Sequence, residues 1–414
     1  MPSTPITELF LHDALRANAR NRPALPALCG TSRTYTWLEL WEAVCASHLA
    51  LGERGVVRGS RVASVGLRPE EEIQLGFALS CIGAALVPIP PAATVDEIGR
   101  ILVDAQPQLV VQPGLPGDGG QAPARATVPS VRFDEIAASR PHGRAESESL
   151  TAAALRSWYD PTMVAYPKRA VAVPVGVVST HRQTILGGFA AAGALGLRRD
   201  DCIWLDRPLA DTASWAWVTI AAFQQASFVF APGLRQSAGE TLPRQSCTVI
   251  LTDPGGDPHE LTQFDRLRLV VFDRPVTADA LEAHAAAWKR KARPAPRFAA
   301  TLAHPEAGPF ALMARPEDVA VSPGCLGTPL PGCYARVGGA DGSELPDGET
   351  GEVQLRSPFL MDGYYRRPEL TASVFRAGWL RTGIEARRDG DGYYHAAAFT
   401  PPFASQSNTQ PVIA

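Results

Sequence analysis

The 414-residue sequence predicts an α/β protein with two mainly parallel sheet subdomains followed by a small β-rich subdomain. Three observations carry this expectation. Helical and strand-like segments alternate over the first 110 residues, and the alternation resumes from Cys202 to Ala300. From Gly324 the texture changes to short strands with Gly- and Asp-rich turns, as in YARVGGADGSELPDGETGEVQLRS. Strands separated by helices of this length pair in parallel through right-handed crossovers. The last pattern belongs to antiparallel hairpins.

TELFLHDALRANARN carries an apolar stripe at Phe10, Leu11, Ala14, Leu15 and Ala17, which makes a first helix. TYTWLELWEAVCASHLALGERG gives a short strand and a second helix, closed by Gly52 or Gly55. SRVASVGL is a strand, EEEIQLGFALSCIG a helix, ALVPIP a buried strand, VDEIGRILVDA a helix and QLVVQPG a strand stopped by Pro-Gly. Residues from about 115 to 156 are rich in Gly, Pro, Ala and Ser and predict a surface excursion. After it come strand CIWLDRP, a helix over WAWVTIAAFQQA, strands SFVFAP, CTVILTDP and RLVVFDRP, and helix ADALEAHAAAWKRKA. TPPFASQSNTQPVIA, residues 400–414, predicts a mobile tail. The expected boundaries are 1–185, 186–320 and 321–399, then the tail.

A net charge of −3 with 20% charged residues gives no electrostatic case for nucleic acid or an anionic membrane surface. The seven cysteines are scattered without a C-x-x-C pair, which predicts free thiols in a reducing compartment. MPSTPITELF lacks the pattern of a signal peptide, and FALSCIGAALVPIP is too short and interrupted to span a bilayer. A cytoplasmic location is expected.

The order of segments resembles the adenylate-forming (AMP-binding) synthetases: acyl- and aryl-CoA ligases, adenylation domains and luciferases. GCLGTPLPGCYARV resembles their G-x-x-G-x-P-L-P-G, and DGSELPDGETGEVQLRSPFLMDGYYRRPELTASVF their G-E-x-x-x-x-G-x-x-x-x-x-G-Y segment. GWLRTG resembles the run ending in Thr-Gly-Asp, GVVSTHR the exit of the phosphate loop, and HPEAGPF the segment with the magnesium-binding glutamate. The resemblance runs from about residue 8 to 399. It implies the large N-terminal domain of these enzymes, with two α/β subdomains and a distorted β-barrel.

Departures from the family pattern concentrate where ATP would bind. The family loop reads S-G-T-T-G-x-P-K-G, whose small residues let backbone N–H groups wrap phosphates. Here the aligned run is Lys168, Arg169, Ala170, Val171, Ala172, Val173, Pro174, Val175 and Gly176. Only Pro174 and Gly176 survive, and the β-branched valines resist positive φ, so the run reads as a strand edge. The ribose-binding aspartate after Thr382 and Gly383 is replaced by Ile384, and the hinge arginine by Phe399. Leu302, Ala303, His304, Pro305 and Glu306 stand where an aromatic packs on adenine; Glu306 is the relic of the metal site, with no metal expected. The histidine near the acyl pocket is Asp211, while His181 is retained in a structural position. The chain also ends where the hinge should lead into a lid domain on the order of 100 residues, so that lid is expected to be absent.

Losing one preorganised charge-stabilising contact costs about 10²–10³ in rate, and several are lost together. The resemblance therefore implies a fold without the family's adenylation, and no cofactor is expected. The first reading is a pseudoenzyme that binds a small acyl or aryl ligand or an acyl carrier protein. The second is a repurposed enzyme performing ATP-independent acyl transfer or cyclisation, with Asp211, His304 and Glu306 as an acid–base set; Cys325 or Cys333 is a weaker nucleophile. The third is a ligase using ATP and magnesium, completed by a separate lid protein. A substrate pocket would be lined by Asp211, Trp215, Trp217, Leu302 and His304, with Phe223 nearby, although aromatics at helical spacing also suit plain core. Gln225 stands where the family usually has Gly before the next strand. Family members often form homodimers, and no membrane or nucleic-acid partner is expected.

Overall fold

The computed structural model describes residues 8–30, 33–114, 128–137, 157–167, 173–230, 246–290, 294–308 and 310–397. Along the chain come strands β1 (Pro26–Cys29), β2 (Thr34–Thr36), β3 (Arg61–Ser64), β4 (Ala85–Pro88), β5 (Leu109–Gln112), β6 (Ser130–Arg132), β7 (Pro161–Ala165) and β8 (Val177–Thr180). They are followed by β9 (Cys202–Leu205), β10 (Ser227–Phe230), β11 (Val249–Thr252), β12 (Leu269–Phe272), β13 (Arg297–Thr301), β14 (Leu312–Ala314) and β15 (Thr328–Pro329). The last are β16 (Tyr334–Gly338), β17 (Thr350–Arg356), β18 (Gly363–Tyr364), β19 (Phe375–Arg376), β20 (Trp379–Arg388) and β21 (Tyr394–Ala396). Helices α1 (Leu11–Asn21), α2 (Trp37–Glu53), α3 (Pro69–Ile82) and α4 (Val95–Ala105) lie among the early strands.

Local chemistry fixes the helix starts. Thr36 accepts from Glu39 N at 3.2 Å while Glu39 Oε2 accepts from Thr36 N at 2.8 Å, a capping box that opens α2. Thr94 and Glu97 do the same for α4. Pro69 occupies the first turn of α3, where its missing N–H is not needed.

Three sheets result. A seven-stranded sheet has the order β18-β8-β7-β4-β3-β5-β6, and a nine-stranded sheet the order β15-β14-β13-β12-β11-β9-β10-β1-β2. Their central strands are parallel, with antiparallel pairs towards the edges. The β-rich unit is a five-stranded antiparallel sheet of β16, β17, β20, β19 and β21. The mainly parallel architecture with a small β-rich unit is the one the sequence predicts.

Sheet membership crosses the expected boundaries at 185 and 320. β1 and β2 pair into the nine-stranded sheet through β10, and β18 returns to the seven-stranded sheet beside β8. Residues 130–137, expected in a surface excursion, form β6 and a short helix that buries Phe133 and Ile136. The rest of the excursion and the predicted tail lie outside the described residues. No helix among the described residues is long and apolar enough to cross a membrane.

Candidate functional site

The run aligned with the family's phosphate loop connects β7 to β8, an antiparallel pair, so the chain reverses between them. Lys168, Arg169, Ala170, Val171 and Ala172 lie outside the described residues. Val173, expected at a strand edge, is in a bend and exposed. Val175 packs against the main core. Gly176 allows a close crossing: a Cβ there would sit 2.6 Å from Val164 and 2.9 Å from the ring of Tyr166. Its survival therefore follows from packing. Tyr166 is buried and donates to Asp104 at 2.8 Å; burial first, then that carboxylate, raises its hydroxyl well above the usual range.

His304 and Glu306 lie in the turn between β13 and β14, pinned by a bridge between His304 and Gly308. His304 Nδ1 is 3.3 Å from Glu306 Oε2, and Nε2 lies 3.0 Å from the carbonyl of Thr382. A carbonyl only accepts, so that contact places a proton on Nε2. The hydroxyl of Tyr364 donates to Glu306 Oε1 at 2.9 Å, and Met361 N donates to the backbone oxygen of Glu306 at 2.9 Å. His304 and Glu306 are each only 4% exposed. The cluster joins the β13–β14 turn of the nine-stranded sheet, β18 of the seven-stranded sheet and β20 of the small sheet. It ties the three sheets together.

Asp211 does not complete an acid–base set with this pair. It caps the helix Thr212–Gln224, accepting from Ser214 N at 2.7 Å, and its other oxygen takes a bond from Arg207 at 3.0 Å. Arg207 also reaches Asp273 at 2.8 Å. Burial holds the Asp273 carboxyl above its usual range, with Arg207 pulling the other way.

Of the expected pocket residues, Trp215, Trp217, Leu302 and His304 are buried, while Asp211 keeps 37% of its side chain exposed. Trp215 lies over Gly76 of α3, where a Cβ would come within 2.0 Å of its ring, and packs edge-on to Phe77 at 6.1 Å. Trp217 is buried against Phe310 at 5.5 Å, and Leu302 is buried in the same cluster. The void beside Trp215 measures about 10 Å³, room for roughly one water. The apolar spacing that suggested a pocket is instead satisfied by helix-to-helix packing. Gln225 adopts φ +60 at the end of the same helix, the left-handed geometry that favours the replaced glycine.

Ile384 packs at the edge of the main core, and Glu385 is exposed on the other side of β20. Phe399 lies outside the described residues. His181 is buried and accepts from Leu11 N at 3.2 Å, joining α1 to the helix His181–Leu195. Both weaker nucleophile candidates are buried: burial pushes Cys333 up to about 11, against a bond from Ser357, and burial also raises Cys325. Such thiols are poor nucleophiles.

Two groups were not legible in the sequence. Tyr364 stands out in the sequence only as part of a Gly-Tyr motif, and its hydroxyl holds Glu306. Glu72, hidden within Glu70–Glu72, takes a bond from Ser64 at 2.9 Å at the carboxyl end of β3. Burial raises Glu72 to about 7, partly offset by that bond. Among the described residues no cluster of three or more His, Cys, Asp or Glu side chains is arranged to hold a metal.

The model of the AMP-binding enzyme family matches residues 15–365. The chain belongs to the AMP-binding enzyme family. Within this family it is 26% identical over 390 residues to feruloyl-CoA synthase of an Amycolatopsis species, covering 91% of this chain and 76% of that protein. It is 27% identical over 410 residues to the fatty acid–[acyl-carrier-protein] ligase ScoC of Streptomyces coeruleorubidus, covering 91% and 74%. The N-terminal domain of FACL13 from Mycobacterium tuberculosis superposes with a TM-score of 0.82 at 20% identity, covering 94% of this chain and all (100%) of that one. This last likeness establishes the adenylate-forming fold.

Proposed function

We propose that this protein is an acyl- or aryl-CoA-ligase-like scaffold that no longer adenylates and instead binds an acyl or aryl ligand or a carrier-protein partner. The observation that carries this reading is the engagement of Glu306. Its carboxylate takes the Tyr364 hydroxyl at 2.9 Å and lies 3.3 Å from His304 in a nearly closed site. A magnesium ion wants oxygen ligands in near-octahedral order and keeps several waters. The residues around Glu306 offer an imidazole and a phenol instead.

The ribose position supports the same reading, since the side chain of Ile384 offers no acceptor. The surroundings of Glu306 and the side chain of Ile384 support neither a magnesium ion nor a ribose at these positions, and no step is assigned to them. The carrier-protein partner is supported by the likeness to ScoC, a fatty acid–[acyl-carrier-protein] ligase. The alternative, ATP-independent acid–base chemistry by His304 and Glu306, would need a free imidazole nitrogen, but Nε2 meets the Thr382 carbonyl and Nδ1 takes the Ala307 N–H at 3.3 Å. Both residues are almost fully buried and held by Thr382 and Tyr364, which favours the structural role.

An ATP–pyrophosphate exchange assay with a panel of acyl and aryl acids tests the reading. Exchange is expected to stay at the no-enzyme background for every acid. Acid-dependent exchange would overturn it.

A further inference from the structure

The seven-stranded sheet buries one face in the main core, through Val62, Leu86, Met163 and Val177. The opposite face packs against α4, through Ile98, Ile101 and Leu102. Towards β7 and β8 that face opens onto a cavity of about 640 Å³. Its size falls within the range of roughly 300–1,000 Å³ typical of small-molecule sites. Ala85, Val164 and Val178 line it from the sheet, and Pro368, Ala372 and Phe375 from the segment around the helix Pro368–Val374.

The charged groups of this cavity are Arg61, Arg366, Arg367 and Asp362. Arg367 is paired with Asp104 at 2.5 Å. Arg61 donates to the carbonyls of Ala105 at 2.7 Å and Gln106 at 2.9 Å, and its guanidinium lies 5.3 Å from the Tyr365 ring. Arg366 donates to the side-chain amide oxygen of Gln106, a neutral acceptor. Both members of that last pair hold left-handed backbones, Arg366 at φ +53 and Gln106 at φ +45. Gln106 is the left-handed residue that closes α4, and its side chain holds the Arg366 cation beside an apolar floor.

We propose that this cavity binds a carboxylate-bearing acyl or aryl molecule, with the apolar body on the sheet face and the carboxylate on Arg366. The inference deepens the ligand-binding reading above by giving it a site apart from the filled region around Trp215. Tyr364 links the two places: it lines the cavity, and its hydroxyl holds Glu306.

The test is isothermal titration of the full chain with decanoate and with cinnamate, alongside the neutral analogue decanol. Wild type is expected to bind at least one carboxylate and to prefer decanoate over decanol. Arg366→Gln should weaken carboxylate binding at least tenfold. Ala372→Trp, on the exposed side of the helix, should block the cavity without disturbing the core. Unchanged affinity in both variants would overturn this site while leaving a ligand-binding scaffold elsewhere. No binding of either carboxylate to wild type at millimolar concentration would overturn both the site and the small-ligand half of the proposed function, leaving the carrier-protein half.

Discussion

Gly327→Ala is expected to destabilise the fold by about 2–5 kcal/mol, summing overpacking against rigid backbone and a left-handed non-glycine residue. Gly327 sits at φ +88, and a Cβ there would lie 2.0 Å from the carbonyl of Met313 and 2.1 Å from Ala314 N. Neither neighbour can swing aside, because both belong to β14, which pairs with β13 and β15. Gly327 also forms a bridge to Tyr394, whose N–H donates to its carbonyl at 3.1 Å. The substitution therefore strains the join between the nine-stranded and five-stranded sheets. Urea unfolding followed by circular dichroism reads the effect. An unchanged midpoint would mean that this join tolerates a shift of several tenths of an ångström.

Asp201→Asn is the second large effect, and its size depends on pH. Asp201 is 3% exposed and accepts from Thr248 at 2.7 Å, Arg198 N at 2.7 Å and Arg268 Nε at 2.8 Å. Burial alone would raise its pKa, but Arg268, Thr248 and the Arg198 N–H outweigh burial and hold it below the usual range. A carboxylate depressed in the folded state contributes stability above its unfolded value of about 3.9 and loses it as pH falls through the folded value. Removing one partner of a buried pair costs about 3–5 kcal/mol. Arg268 keeps 21% exposure, so about 2–4 kcal/mol is expected at pH 7. The gap between wild type and variant should close as pH is lowered below about 4. A gap of constant size from pH 7 to pH 3 would contradict this account of the network.

The sequence carries the central strands because they are nearly all apolar and bounded by turn residues, as in Leu269–Phe272 before Asp273-Arg274-Pro275. It carries the helices because their caps and periods are local. Sheet membership was not legible for β1, β2 or β18, since which sheet accepts a short strand depends on distant partners such as Phe228 and Val178. Trp215 and Trp217 were ambiguous for a physical reason: an aromatic that fills a core and one that floors a pocket share the same helical spacing. His304 and Glu306 were legible as candidates and are in contact. Their shared partner Tyr364 lies 58 positions beyond Glu306 in sequence, and only the return of β18 to the first sheet brings it there. Asp211, a candidate both for the acid–base set and for the pocket, serves as an N-cap, a role that Asp-Thr-Ala-Ser before an apolar run also suggests.

The central claim is that an adenylate-forming fold survives here without its nucleotide. Isothermal titration of the purified chain with ATP and magnesium, followed by AMP, tests it most directly. No heat of binding is predicted up to millimolar nucleotide. Saturable binding at micromolar concentration would contradict the account and restore a ligase that uses an altered ATP site.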